Sequence, residues 1–296
     1  MAIPVIDFSK LSGEERSKTL AEIAHCCEDW GFFQLINHGI PEDLLERVKK
    51  VASDCYKFER QTWIREFETG ESAEGIDENH DEWPSKTPGF KETMKEFRAE
   101  LKELAIKVME VMDENLELPK GYINKAFNGG GEEEEDSAFF GTKVSHYPPC
   151  PRPDKVNGLR AHTDAGGVIL LFQDDEVSGL QILKDGVWID VQPIKNAIVI
   201  NTGDQIEVLS NGKYKSFWHR VLALPEGNRR SIASFYNPSF KAIIEPAKEL
   251  VLEEKKIQVE NLVKYPKFVF GDYMSVYAEQ KFLPKEPRFQ AAVKAV

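Results

Sequence analysis

The sequence predicts a mainly β protein with flanking helices, in which a double-stranded β-helix (jelly roll) lies between a helical N-terminal region and C-terminal helices. Two changes in the spacing of apolar residues along the chain predict this class. Apolar residues recur at helical spacing in the first part of the chain, and short apolar runs separated by turn residues then replace them. Helical spacing returns near the C-terminus. We expect one compact unit with an N-terminal support region at 1–136, a jelly-roll core at 137–240 and a helical tail at 241–296.

The support region is predicted to contain two short strands and three helices. The strands have alternating or continuous apolar residues, and each helix carries an apolar stripe at helical spacing. The strands are predicted at 3–8 and 31–36, and the helices at 9–30, 41–60 and 92–116. Polar, acidic segments at 70–89 and 129–136 predict solvated loops.

The core region is predicted to contain eight short strands, which suits the two sheets of a jelly roll. Each run is closed by Gly, Pro, Asn or Asp, and Asp185-Gly186 predicts a tight hairpin turn. The strands are predicted at 142–147, 168–172, 180–183, 187–191, 197–201, 205–210, 219–223 and 231–236. One open end of such a barrel can hold a metal on its inward face.

Composition narrows the class of partner. A formal net charge of −12 and a pI near 5.2 disfavour nucleic acid and anionic membranes as partners. The N-terminus lacks the features of a signal peptide, and the longest apolar run, at 168–172, is too short to span a bilayer. The four cysteines lack zinc-like spacing, which favours reduced thiols. We therefore expect a cytoplasmic monomer that acts on small molecules without membrane insertion.

The most informative motif is His162-Thr163-Asp164 followed by His219. Alone, a His-x-Asp pair is weak, because it arises readily by chance and an isolated histidine is more often structural. On an extended strand, however, His162 and Asp164 leave the same face, and His219 can join them from another strand. Two imidazoles and one carboxylate form the facial triad that holds Fe(II) and leaves positions open for substrate and dioxygen. The combination predicts an Fe(II) site.

A second element, Arg229-Arg230-Ser231, lies shortly after His219. The planar fork of Arg229 suits a carboxylate, and the Ser231 hydroxyl lies beside it on the predicted strand. A structural ion pair for Arg229 and a plain strand-face hydroxyl for Ser231 are the alternatives. The pattern predicts a carboxylate anchor near the metal.

Longer motifs resemble those of plant 1-aminocyclopropane-1-carboxylate oxidases over nearly the full length. They are Trp-Gly-Phe-Phe at 30–33, Asn-His-Gly at 37–39, the segments 140–151 and 158–167, Gly-Asp-Gln at 203–205, Ser-Phe-Tyr-Asn-Pro at 234–238 and Lys-Glu-Pro-Arg-Phe at 285–289. The triad and the Arg-x-Ser element are shared with the wider family of 2-oxoglutarate-dependent oxygenases. Lys143, Arg160 and the 285–289 motif point to the ethylene-forming branch.

The resemblance implies a reaction and its cofactors. The amino acid substrate chelates Fe(II) through its amine and carboxylate, ascorbate supplies electrons, and carbon dioxide or bicarbonate is an activator. Dioxygen is consumed, and the products are ethylene, cyanide, carbon dioxide and water. The alternatives are a 2-oxoglutarate-dependent hydroxylase or desaturase of a plant metabolite, and a catalytically weak jelly-roll binding protein.

The same resemblance implies roles for further side chains. Lys143, Arg160 and Arg288 become candidate catalytic cations that neutralise substrate carboxylate, bicarbonate or ascorbate, and Tyr147 joins Arg229 and Ser231 in binding substrate or activator. Each has an alternative: a surface position for Lys143, ion pairs for the two arginines, and core packing for Tyr147. The tail is expected to fold over the open mouth of the barrel and to place Arg288 near the pocket.

Two departures from the family stand out. Family members carry, before the third helix, a strand with an Asp-Trp-Glu pattern, whereas here the segment 60–82 leads directly to Trp83-Pro84. We expect this loss to open one edge of the barrel and to leave backbone groups unpaired. Gln290 also stands where an acidic residue often follows the final Arg-Phe.

Overall fold

The computed structural model describes residues 2–59, 67–69, 83–84, 86–129, 137–256 and 263–294. The strands are β1 (Val5–Asp7), β2 (Phe32–Ile36), β3 (Phe67–Thr69), β4 (Phe139–Tyr147), β5 (Asn157–His162), β6 (Val168–Gln173), β7 (Leu180–Lys184), β8 (Val187–Asp190), β9 (Ile198–Thr202), β10 (His219–Leu222), β11 (Arg229–Asn237), β12 (Ile243–Ile244) and β13 (Phe268–Val269). The helices are α1 (Arg16–His25), α2 (Glu42–Glu59), α3 (Phe90–Asn115), α4 (Tyr122–Phe127), α5 (Asp204–Leu209), α6 (Lys248–Lys256), α7 (Phe270–Gln280) and α8 (Glu286–Lys294).

Two sheets form the predicted jelly roll. The larger sheet has the order β1-β2-β9-β6-β11-β4-β3, and the smaller has the order β5-β10-β7-β8. All pairs are antiparallel except β1 with β2. The smaller sheet closes over one face of the larger, so that a space remains between them. The predicted fold class is therefore confirmed.

Strand alternation builds two apolar cores. On β9, Ile198 and Ile200 join the core beneath the N-terminal helices, whereas Val199 joins the core between the sheets. Phe33 and Phe32 divide between the same two cores on β2. Successive side chains of a strand point to opposite faces, which explains why these strands are apolar throughout.

The N-terminal helices support the outer face of the larger sheet. The amphipathic helix α3 buries its apolar stripe there, and the ring of Phe97 lies 5.5 Å from that of Phe172 on β6. This packing leaves the inner face of the sheet free for the space between the sheets. The division of the chain at 136/137 and 240/241 stays a prediction.

Most predicted elements are present, with three differences. The predicted helix 9–30 is interrupted: a 3-10 turn (Phe8–Ser12) precedes α1, and a π-helical turn (Cys26–Trp30) ends it. The predicted strand 205–210 is wrong, because this segment is helix α5. Strands β3, β5, β12 and β13 and helix α4 were not predicted. The segments 60–66, 70–82 and 130–136, which contain most of the predicted loops, lie outside the described residues.

The expected open edge is covered in part. Strand β3 pairs antiparallel with β4, and it joins Phe67, Glu68 and Thr69 to Val144, Lys143 and Thr142. The expectation that this edge lacks a backbone partner is therefore wrong at these positions. A short strand suffices because hydrogen bonding along an edge depends on backbone geometry more than on side-chain pattern.

The structure also bears on the cysteines and on membrane insertion. No disulfide joins any two of the four cysteines, and burial raises the pKa of the Cys26 thiol to about 12, so this thiol is unreactive. Within the described part of the chain, no helix combines the length and apolar character needed to cross a bilayer.

Candidate active site

Three side chains with metal-binding atoms converge between the two sheets. His162 is the last residue of β5, and the strand register places it opposite His219, the first residue of β10. Asp164 follows two residues later, in the loop after β5 rather than on the strand itself. One nitrogen or oxygen from each residue lies within 4.8 Å of the others. No other group of this kind occurs among the described residues.

The protonation states suit a divalent metal. Burial, together with the charge of the neighbouring His219, lowers the pKa of His162 to about 3. Burial alone would raise the pKa of Asp164, but the two imidazoles, the hydrogen bond from Asn201 and the charge of Lys281 together outweigh it and hold the pKa below its ordinary value. The His162 imidazole is therefore neutral, and the carboxylate between the two rings is ionised. These residues fit Fe(II), which takes neutral imidazole and carboxylate ligands.

Backbone carbonyls orient both imidazoles. Nδ1 of His162 lies 2.8 Å from the carbonyl of Arg160, and Nδ1 of His219 lies 3.2 Å from that of Phe217. These contacts place a proton on Nδ1 of each ring and direct Nε2 toward the carboxylate, at 3.6 Å for His162 and 3.4 Å for His219. Such outer contacts fix the tautomer of a metal-binding histidine.

Asn201 orients the carboxylate. Its Nδ2 donates a 2.9 Å hydrogen bond to Oδ2 of Asp164, and the residue is buried on β9. Sequence reasoning missed this residue. No local pattern identifies it, since the contact joins two segments that are distant in the chain. We infer that Asn201 holds the carboxylate in the orientation that a metal requires.

Replacing Asn201 by Ala is expected to weaken Fe(II) binding by about 10- to 100-fold, because partners that orient metal ligands typically contribute this much. Anaerobic Fe(II) titration measures the change. Gln34→Ala is the matched control, because Gln34 is also a buried amide, on the neighbouring strand β2, and bonds to the carbonyl of Gln192 instead. Equal losses in the two variants would contradict the role of Asn201.

The triad opens into a cavity of about 590 Å³ between the sheets. Alternate residues of two paired strands form one wall: Lys143, Ser145 and Tyr147 on β4, and Arg229 and Ser231 on β11. Apolar side chains form much of the remaining lining, including Phe32, Ile169, Leu171, Leu180 and Val221. Four predicted site residues outside the triad therefore share the cavity with it: Lys143, Tyr147, Arg229 and Ser231.

Arg229 is the most unusual of these cations. It is 2% exposed, and its guanidinium bonds to Ser231 Oγ (3.3 Å) and Gln173 Oε1 (3.0 Å), above the ring of Tyr147. Burial lowers its pKa, but an arginine remains charged at physiological pH. Among the described residues its Nε has no hydrogen-bond partner, and its two hydrogen bonds go to neutral side chains. A buried cation in this state can bind an anion that enters the cavity.

Arg160 and Arg288 do not line the cavity. The Arg160 guanidinium is exposed and lies 3.7 Å from the centre of the Phe282 ring. Arg288 is 0% exposed and lies beneath the loop that carries Asp164, against Asp204 and Thr163. The expectation that Arg288 reaches the pocket is therefore corrected: a buried carboxylate holds it on the far side of the loop.

Other residues of the helical tail do line the cavity. Met274, Ser275 and Tyr277 of α7 line the cavity, and Lys281 follows at the end of that helix. Phe289 is a core aromatic, stacked 5.5 Å from Tyr273.

Comparison with known proteins agrees with this geometry. Residues 139–238 match the model of the 2OG-Fe(II) oxygenase superfamily, and residues 3–103 match the model of the N-terminal region described as non-haem dioxygenase in morphine synthesis. A 1-aminocyclopropane-1-carboxylate oxidase 5 from Arabidopsis thaliana is 66% identical, over 98% of this chain and 99% of the relative. This chain belongs to the 1-aminocyclopropane-1-carboxylate oxidase family. A relative with this name from Musa acuminata is 62% identical over 100% of both chains.

The length of the alignment supports the prediction that this chain lacks a segment present in its relatives. The alignment with the Musa relative extends over 315 positions, whereas this oxidase has 296 residues, so 315 − 296 leaves at least 19 positions without a counterpart here. The segment 60–66 and 70–82, where the sequence places the loss, lies outside the described residues.

Solved structures share the fold. JOX2 in complex with 2OG, Fe, and JA has a TM-score of 0.83 and 29% identity, and the match covers 99% of this oxidase and 89% of that chain. The dioxygenase for auxin oxidation in rice has a TM-score of 0.74 and 21% identity, over 94% of this oxidase and 95% of that chain. Both support the jelly-roll core with flanking helices.

Proposed function

We propose that this protein oxidises 1-aminocyclopropane-1-carboxylate with dioxygen to ethylene, cyanide and carbon dioxide, with Fe(II) as metal, ascorbate as reductant and bicarbonate or carbon dioxide as activator. The observation that carries the proposal is a buried His-Asp-His triad that shares one cavity with the buried cation Arg229. The relatives at 62–66% identity, which are named for this reaction, support the choice of substrate.

In this proposal His162, Asp164 and His219 hold Fe(II), which when bound provides open positions for the amine and carboxylate of the substrate and for dioxygen. The three residues line the cavity, so a metal that they held would adjoin the space available to the substrate. Backbone contacts hold both imidazoles in the required tautomer, so that Nε2 is free to bind. The two histidine ligands are therefore already oriented for the metal before substrate binds.

The cavity wall supplies the remaining polar groups. Arg229 and Ser231 at one end of the wall bind a carboxylate-bearing molecule or the activator, and Tyr147 offers a hydroxyl beside them. Lys143 is four residues from Tyr147 on β4, about 13 Å along an extended strand, so it can serve a second anion. Two separate cations suit a reaction that needs both an amino acid and an anionic activator.

The lining of the site is largely apolar, and α7 contributes to it, so little water would remain around a bound carboxylate. Removal of water strengthens the attraction between a buried cation and a bound carboxylate, because the local dielectric constant falls. The finer expectations of a cytoplasmic location and a monomeric state rest on composition and charge alone.

The deciding test is gas chromatography of ethylene from purified protein with Fe(II), ascorbate, bicarbonate and 1-aminocyclopropane-1-carboxylate. Ethylene should require all of them, and 2-oxoglutarate should be neither required nor converted to succinate. Conversion of 2-oxoglutarate without ethylene would instead favour a hydroxylase or desaturase, in which Arg229 and Ser231 bind the 2-oxoglutarate carboxylate. Iron binding without either reaction would favour the weak binding protein.

A further inference from the structure

The loop that carries Asp164 lies against the start of α5. The amide of Asp204 donates to the carbonyl of Asp164 (2.8 Å), and the amide of Gly203 donates to that of Gly167 (2.7 Å). A Cβ on Gly203 would lie 2.3 Å from the Gly166 carbonyl, so only glycine permits this approach. The backbone of the metal-binding loop is therefore tied to α5.

Thr163, between two of the proposed metal ligands, is tied to all three neighbouring helices. Its side chain is 0% exposed, and its hydroxyl donates to Oδ2 of Asp204 on α5 (3.2 Å) while it accepts from Nη2 of Arg288 on α8 (2.8 Å). Tyr277 on α7 donates to the Thr163 carbonyl (2.7 Å). The hydroxyl thus has both a donor and an acceptor partner, which fixes its rotamer.

Asp204 and Arg288 complete this arrangement. Both are fully buried, their charged groups lie 3.4 Å apart, and Tyr273 also donates to the carboxylate. Desolvation makes a buried ion pair weak evidence of stabilisation, but its directional contacts specify one geometry. Here the pair holds the side chain of Thr163, the residue between His162 and Asp164, in one orientation.

A second buried pair joins the same elements without touching the loop. Lys285, just before α8, lies 2.6 Å from the carboxylate of Glu207 on α5 and also bonds to the Ser216 carbonyl. This pair fastens the tail to α5 as the first pair does. The two ion pairs can therefore be compared. Lys285 with Glu207 only attaches the tail to α5, whereas Arg288 with Asp204 also contacts the loop that carries Asp164.

We propose that Asp204 and Arg288 are positioning residues for the metal centre, which act through Thr163 to hold the Asp164 carboxylate in the geometry for metal binding. Docking of α8 thereby raises metal affinity, although none of the described residues of α8 lines the cavity. The proposal rests on the Fe(II) site of the proposed function, but not on the identity of the substrate.

The test compares Fe(II) affinity, by anaerobic titration below the melting temperature, in variants of the full chain. Thr163→Val keeps shape and the ion pair but removes the hydroxyl, and it should weaken Fe(II) binding about 10- to 100-fold. Thr163→Ser keeps the hydroxyl and should stay within about threefold of wild type, since a contact that persists leaves the geometry in place. Arg288→Met should resemble Thr163→Val.

The control is Lys285→Met, which also removes a buried tail cation. It should lower the melting temperature but leave Fe(II) affinity within about threefold of wild type, because its partner does not contact the loop. Wild-type affinity in Thr163→Val, or equal affinity losses in Lys285→Met and Arg288→Met, would overturn the proposal. Normal Fe(II) binding without ethylene would overturn the proposed reaction and leave the positioning role intact, whereas a wild-type protein that binds no Fe(II) would overturn both.

Discussion

Replacing Asp164 by Ala is expected to abolish stoichiometric, micromolar-class Fe(II) binding and all ethylene formation. Asp164 is the anionic member of the triad, and its carboxylate faces both imidazoles at 3.4–3.6 Å. Two neutral imidazoles alone provide neither the third ligand nor the negative charge that favours a divalent cation. Loss of the metal removes the whole reaction, so this change should reduce activity more than any substitution in the cavity wall.

The backbone at position 164 should keep its place in this variant, because the amide of Asp204 bonds to the carbonyl of residue 164 and not to the carboxylate. The side-chain bond from Asn201 is lost, which costs about 1–3 kcal/mol of stability. Thermal unfolding of the metal-free protein and Fe(II) titration measure the two effects separately. Asp154→Ala, which removes an exposed carboxylate paired with Arg152, is the control and should bind iron normally. Retention of stoichiometric iron at wild-type affinity in Asp164→Ala would refute the assignment.

Replacing Arg229 by Lys is expected to reduce kcat/KM by an amount equivalent to about 1–3 kcal/mol. Arg229 bonds to Ser231 and Gln173 and still has a planar group to offer a carboxylate. Lysine keeps the charge but has a single ammonium group, which cannot make all of these contacts at once. The loss should appear in steady-state kinetics with 1-aminocyclopropane-1-carboxylate and in the response to bicarbonate. Thermal stability should change less than catalytic efficiency.

Arg230→Lys provides the matched control. Arg230 is the next residue on β11, so its side chain leaves the opposite face of the sheet, where it is partly exposed and lies 4.0 Å from Asp174. Its substitution should leave kinetics unchanged. A sharp fall in melting temperature for Arg229→Lys, with unchanged activity per folded molecule, would show that Arg229 serves only the fold.

The cations show what sequence reasoning can and cannot assign. Arg229 and Arg288 are both charged residues near a family motif, and both are almost completely buried. They differ in their partners: Arg229 has two neutral side chains and a cavity, whereas Arg288 has the carboxylate of Asp204. Which carboxylate meets which cation depends on helix docking across distant parts of the chain, and no local pattern encodes it.

Helix α5 shows the same limit for secondary structure. Alternating apolar residues at 205–210 predicted a strand, but six residues are too few for periodicity to separate a strand from a buried helix. The helix forms where its two carboxylates, Asp204 and Glu207, can meet buried cations of the tail. Tertiary contacts therefore override the local preference.

The sequence by itself determined the jelly-roll class, the three metal donors and the cavity residues on β4 and β11. The class and the triad follow from short periodicities and ligand chemistry, since side-chain type limits the metal, whereas the family resemblance indicated Lys143 and Tyr147. Only the tertiary structure decided that Asn201 orients Asp164, that Arg288 lies beneath the metal loop, and that Lys281 enters the cavity. Each of these depends on contacts between elements far apart in the chain, where burial and charge pairing, rather than spacing, select the partner.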